Sequence, residues 1–194
     1  MASSPPTRPA RRADAQRNID AILDAAIDSL ARRPETTLAE IAKEAGVGRV
    51  TLYGHFASRA ELVDAAMARV LVHGDAALEP LDLDGDPAEA LERLIGASWR
   101  LIHQSRSLLI AAQKELTSAR IRDLHAEPAA RAERLLARGQ AEGVFRSDLP
   151  TSWLVATLHN VLHGAADEIN AGRLRPEDAA RTVSLTILAA FAAR

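Results

Sequence analysis

Residues 37–56 read Thr-Leu-Ala-Glu-Ile-Ala-Lys-Glu-Ala-Gly-Val-Gly-Arg-Val-Thr-Leu-Tyr-Gly-His-Phe, a stretch that predicts two short helices joined at a glycine. Thr37 and Glu40 have capping-box spacing, in which the hydroxyl accepts from a free backbone N–H and the carboxylate reaches back to the cap. Leu38, Ile41, Ala42 and Ala45 then share one helical face. Gly46 suits the left-handed conformation that closes a helix, and Val47 tucks an apolar side chain under the turn. A second helix from about Gly48 to His55 buries Leu52 and Phe56 and leaves Arg49, Thr51, Tyr53 and His55 outward or on its flanks. That is the pattern of a helix-turn-helix, which lays its second helix in a DNA major groove. At the start of that helix, Arg49 is suited to reading guanine O6 and N7, and Val50 to touching a thymine methyl. A phosphate contact for Arg49 and core packing for Val50 are the competing assignments.

Outward from this stretch the chain is helical. A helix from about Ala13 to Arg32 carries Ile19, Ile22, Leu23, Ala26, Ile27 and Leu30 at spacings of three and four, an amphipathic stripe that packs behind the helix-turn-helix, and Pro34 stops it. Ser58 caps a further helix that runs to about Leu78. Residues 1–12 contain three prolines and no apolar periodicity, and are expected to be disordered. Arg8, Arg11 and Arg12 meet no acidic residue there, so the segment reads either as a solvated leader or as a basic arm for an adjacent minor groove.

Three segments here match a known family. Ile-Ala-Lys-Glu-Ala-Gly-Val at 41–47, Thr-Leu-Tyr-Gly-His-Phe at 51–56 and Ser-Arg-Ala-Glu-Leu at 58–62 resemble the signature of TetR-type bacterial repressors. The resemblance is dense from Ile19 to Met67 and mostly architectural beyond. It implies that Thr37, Thr51, Tyr53, His55 and Arg59 lie at positions that bind backbone phosphates. Gly48 stands where the family commonly has serine, so one hydroxyl contact is expected to be missing. Arg59 replaces the usual lysine and adds a bidentate fork.

The net charge of −2 is divided unevenly: residues 1–60 hold nine Arg/Lys against seven Asp/Glu, leaving fifteen against nineteen in the remainder. Local charge sets phosphate attraction, and the asymmetry has the right sign. With no cysteine in the chain, disulfides and thiolate metal sites are excluded. No run of eighteen apolar residues occurs and the N-terminus is Pro/Arg-rich, so neither a membrane span nor a signal peptide is predicted, and a cytoplasmic protein is expected.

From Asp86 onward, helices are expected at about 87–104, 107–125, from Pro128 to about Glu142, at 151–171, and from Pro176 to the end. The last two carry small and aliphatic residues on more than one face, which needs cover on both sides; a homodimer built through them is the reading that the resemblance also implies. His159 and His163 sit four apart on one helix, but no third ligand stands out, so structural or dimer contacts are favoured and no metal or other cofactor is predicted. Trp99, His103, Phe145 and Trp153 are candidates to line a ligand cavity, with core filling as the alternative. Nothing resembles a nucleophile–base set or a phosphate loop, so an enzyme is not indicated.

The expectation is therefore an all-α protein: a basic arm over 1–12, a three-helix helix-turn-helix domain over 13–60, and a helical effector-binding and dimerisation domain over 61–194. The resemblance implies a repressor on a palindromic double-stranded operator, released by a small-molecule effector. The alternative is a DNA-binding dimer of the same type without ligand sensing, regulated by a protein partner. The candidate DNA-binding residues are Thr37, Gly48, Arg49, Val50, Thr51, Tyr53, His55 and Arg59.

Overall fold

A computed structural model describes residues 8–193, without the side chains of residues 8–11, 104 and 170. Among the described residues there are nine helices: α1 (Arg8–Arg32), α2 (Leu38–Glu44), α3 (Arg49–His55), α4 (Arg59–Leu78), α5 (Pro87–Glu115), α6 (Ser118–Leu124), α7 (Ala126–Ala141), α8 (Thr151–Asn170) and α9 (Pro176–Phe191). None of the described helices is long and apolar enough to cross a membrane.

The chain forms two compact units, one of residues up to 70 together with 107–121, the other of 71–106 together with residues from 122 onward. The division falls later than the expected boundary at 60/61, because the first half of α4 buries Leu62, Val63, Ala66 and Met67. A segment of α5 and α6 also belongs to the first unit, where Leu108, Ala111 and Ala112 are buried. These side chains, with Ile22, Leu23, Ala26 and Leu30 of α1, Ile41 of α2 and Leu52 of α3, supply its core. Each fully buried aliphatic side chain contributes about 1.5–3 kcal/mol. Polar ties fix the packing: Ser29 Oγ, itself buried, donates to Glu44 Oε2 at 2.7 Å, and Arg69 pairs with Asp20 at 2.9 Å and Asp24 at 3.2 Å.

The second unit is built on Leu91, Leu94, Ile95 and Trp99 of α5, Leu135 and Leu136 of α7, Leu154, Leu158 and Leu162 of α8, and Val183, Ile187 and Phe191 of α9. Phe145, in the loop after α7, enters the same core. It lies so close to Gly139 that a Cβ there would stand 3.1 Å from its Cγ and closer still to Cδ2 and Cε2. An isolated antiparallel bridge joins Phe145 to Ala192, with Arg146 N–H donating to Phe191 O at 2.8 Å and Ala193 N–H to Val144 O at 3.1 Å.

Three helix boundaries differ from expectation. α1 begins at Arg8 rather than Ala13; Pro9 falls in its first turn, where a missing N–H breaks no hydrogen bond. The expected basic arm is thus helical from residue 8, while residues 1–7 and the side chains of Arg8 and Arg11 lie outside the described residues. α5 runs unbroken through 104–107 to Glu115. That tract is polar but contains neither glycine nor proline, and Ser105 Oγ donates to Leu101 O at 2.7 Å within the helix. The interruption comes instead around Thr117, whose Oγ1 accepts from the N–H of Arg120 at 3.2 Å. Finally, α7 starts at Ala126, with Pro128 inside its first turn.

Candidate nucleic-acid interface

The helix-turn-helix is closed by local hydrogen bonds at each joint. At the start of α2, Thr37 Oγ1 accepts from Glu40 N–H at 3.3 Å while the Glu40 carboxylate accepts from Thr37 N–H at 2.8 Å. The Thr37 N–H, then its hydroxyl, hold the Glu40 carboxyl below the usual carboxylate range. At the end of α2 the N–H of Val47 donates to Ala42 O at 3.0 Å and that of Gly46 to Lys43 O at 3.2 Å. That double closure requires a left-handed residue between, and Gly46 has φ +68°. Ser29 and then Arg32 keep the Glu44 carboxyl low, which ties α2 to α1.

Gly48 is the N-cap of α3 and, as its lack of a side chain dictates, provides no side-chain hydrogen bond. α3 buries Leu52 completely, and Phe56 is buried just beyond it. Its opposite face is open: Val50 is 87% exposed and Tyr53 54% exposed. Exposure at that level removes core packing as the assignment for Val50. Arg49 is also exposed and has no ion-pair partner among the described residues. Thr51 and His55 are half-buried on the flanks, and Lys43 is exposed on α2. Arg49, Val50 and Tyr53 thus form a free face at the N-terminal end of the helix expected to read DNA.

Arg59 differs from expectation. Its guanidinium donates to Glu115 Oε1 at 2.9 Å and to the carbonyls of Thr36 and Pro34. All three partners belong to the same unit, and the side chain is 24% exposed. A group held this way fixes the start of α4 against the 34–37 turn and the end of α5, rather than offering an open fork to phosphate. Arg120 adds a second tie, donating from Nε and Nη2 to the two carboxylate oxygens of Asp64 at 2.6 and 3.0 Å.

The four residues expected to line an effector cavity do not share one environment. Trp99 and Phe145 are core, His103 is exposed and stacks on Trp99 with ring centroids 5.9 Å apart, and Trp153 is 60% exposed. Leu185 on α9 is likewise 60% exposed.

His159 and His163 gain a neighbour that the sequence spacing did not indicate. His125, just before α7, brings its ring to 5.2 Å from that of His159 and 6.1 Å from that of His163, which are 4.3 Å from each other. Among the described residues no three groups are arranged to hold a metal ion. Loss of water around the ring pushes His163 down to about 4, helped by His159 and His125 and opposed by Asp167. His159 is shifted the same way, by the same loss and then by His125. An imidazole in the unfolded chain titrates near 6.5, so folding favours the neutral ring. The stability this provides is complete above about pH 6.5 and is lost as pH falls toward 4. The expected loss is about 2 kcal/mol, allowing for water that still reaches the rings. Urea unfolding at pH 7 and pH 5 measures most of it, and His163→Leu should flatten that difference.

This helix-turn-helix defines a DNA-binding protein, and the comparisons make the class specific. A family model described as bacterial regulatory proteins, tetR family, matches residues 22–66. The HTH-type transcriptional regulator NfxB of Pseudomonas aeruginosa is 30% identical over 184 residues, covering 89% of this chain and 91% of its own. The transcriptional repressor LfrR of Mycolicibacterium smegmatis is 38% identical over 80 residues, covering 41% of this chain and 42% of its own. Its crystal structure with proflavine has a TM-score of 0.64 at 21% identity, covering 88% of this chain and 95% of that one. A putative TetR-family regulator from Rhodococcus sp. has a TM-score of 0.75 at 19% identity, covering 90% and 98%. The chain belongs to the TetR family of bacterial transcriptional regulators.

Proposed function

We propose that this regulator is a homodimeric repressor that binds a palindromic operator and leaves it when a small molecule occupies its C-terminal unit. The observation that carries the reading is the free face of α3, where Arg49, Val50 and Tyr53 stand exposed while Leu52 anchors the helix from behind. Trp153 on α8 and Leu185 on α9 are large apolar side chains left exposed, and they support a second copy covering these two helices. Two heads would then meet half-sites about one helical turn apart. Thr37, Gly48, Thr51 and His55 lie near the face and would meet the backbone on either side of the groove. Working on chromosomal DNA, the protein would act in the cytoplasm.

Release by a ligand is supported by LfrR, whose structure holds proflavine. An effector can shift the equilibrium only by its differential affinity for the bound and released conformers. α4 and α5 each run through both units, so they are the covalent routes for such a shift. Regulation by a protein partner instead of a ligand has no specific observation in its favour.

The test is binding to an operator selected from random sequence, followed by fluorescence anisotropy. Each phosphate neutralised by a basic side chain contributes about −0.9 to the slope of log K against log salt, so a slope clearly below zero, roughly −2 if the exposed Lys43 of each head takes one phosphate, is expected. Arg49→Ala should cost about 1–3 kcal/mol and relax preference at one base step across single-base operator variants. Tyr53→Phe should weaken every variant alike. A slope near zero, or tight binding to a lone half-site, would overturn the dimeric reading. Uniform weakening by Arg49→Ala would make that residue a phosphate contact.

A further inference from the structure

α7 carries Arg131, Arg134 and Arg138 at spacings of three and four, and hence on one face. With Leu135 of the same helix and Leu83 and Asp84 of the segment between α4 and α5, they line a cleft of about 230 Å³. All six belong to the second unit.

Packing accounts for only part of this positive charge. Arg131 is held by the Asp75 carboxylate at 2.9 Å and by the carbonyls of Asp75 and Leu78 at 3.3 and 3.4 Å. Arg138 donates from Nη2 to Leu83 O at 2.7 Å and Gly85 O at 3.3 Å. Its Nε is buried and has no hydrogen-bond acceptor, the Glu142 carboxylate standing 3.7 Å away. Its Nη1 faces Asp84 at 3.8 Å, but that carboxylate is fully exposed, and so loose a pair is easily displaced. Arg134 is exposed and has no partner among the described residues.

The geometry points to a binding site for a small amphipathic anion, with a carboxylate or phosphate on the open guanidinium of Arg134 and the loosely paired Nη1 of Arg138, and a short apolar portion against Leu83 and Leu135. Guanidinium forks match the oxygens of both groups. Arg131 is neutralised by Asp75, but Arg134 and Arg138 leave the lining with more positive than negative charge even with Asp84 counted, which disfavours a cation, and a neutral apolar compound would leave Arg134 unused. The cleft is smaller than the roughly 300–1,000 Å³ of drug-sized pockets, which favours a compact ligand. The site is distinct from the residues first expected to sense an effector, and its assignment does not depend on operator release.

Calorimetric titration of the full chain with octanoate, octyl phosphate and the neutral octanol tests it. One anion should bind per chain, saturably, and weaken with salt. Octanol should bind at least about tenfold more weakly, the effect of losing a charge-assisted contact. Arg134→Gln should weaken the anion by about tenfold and Arg134→Lys by less, both with an unchanged melting midpoint, since Arg134 supports no packing. Arg100→Gln, which removes an exposed charge elsewhere in the unit, should change nothing. Preference for one anion over the other identifies the head group. Equal affinity for octanol, full affinity in Arg134→Gln, or absence of saturation with both anions would overturn the proposal.

Discussion

Gly139→Ala is expected to destabilise the second unit severely for so small a change. A methyl at this position would overlap the Phe145 ring, and the ring has nowhere to retreat. It is buried in the main core, its N–H donates to Gly139 O at 3.0 Å, and the next residue is bonded to Phe191 O. Overpacking a filled core costs about 1–3 kcal/mol, and more where neither partner can shift. Alanine's better helix propensity offsets about 1 kcal/mol. A net loss of about 2 kcal/mol should lower the melting midpoint by roughly 4–8 °C, measured by circular dichroism. Combining the change with Phe145→Leu should recover part of the loss, because the two side chains compete for one space. An unchanged midpoint in Gly139→Ala would mean that the Phe145 ring is not seated against α7.

Arg59→Ala should also act mainly through folding, in contrast to what the family resemblance implies. It removes one charge-assisted bond to Glu115 and bonds to two carbonyls, and it leaves a largely covered carboxylate without its partner. Hydrogen bonds to charged groups contribute about 1.5–3 kcal/mol each; the partners are partly exposed and water can replace part of what is lost, so a loss of about 3 kcal/mol, below the simple sum, is expected in urea unfolding. Arg59→Lys should recover only part of it, since an ammonium cannot reproduce the fork. Operator affinity measured well below the melting midpoint should fall less than threefold. Full stability together with uniformly weakened DNA binding would return Arg59 to the role of a phosphate contact.

The contrast between Arg59 and Val50 shows where the sequence was legible. The elements that define the helix-turn-helix are set by signals a few residues apart: Thr37 with Glu40, Gly46 with Val47, and Leu52 with Phe56 on one face. Such signals do not depend on the rest of the chain, and the structure contains each of them. Arg59 could be read for charge but not for its partners, because Glu115 lies 56 residues away in sequence. His125 joined His159 and His163 for the same reason: its neighbours are brought to it by the packing of α7 against α8, which no local spacing encodes. The unbroken α5 exposes a different limit. A polar tract resembles a loop in composition, but without glycine or proline nothing in the backbone obliges the helix to stop. The basic cleft on α7 is not legible in the sequence, because its arginines resemble an ordinary solvated face and the residues that line the other side, Leu83 and Asp84, lie some fifty positions away.

Gly48 carries a consequence for how the head behaves when it is not on DNA. An N-cap without a side-chain acceptor leaves the first backbone N–H groups of α3 to water. Hydrogen exchange at residues 49–51 of the free protein should therefore be fast, while exchange at Leu52, bonded to Gly48 O at 3.0 Å, should be slower. A serine could sit here without crowding, since a Cβ would meet only Thr51 Oγ1 at 3.8 Å. It would calm the first turn of α3 in the free protein by giving those amides an acceptor of their own. The native glycine leaves them open, and slowed exchange at 49–51 in the operator complex is the expected sign that phosphate oxygens complete this first turn of the reading head.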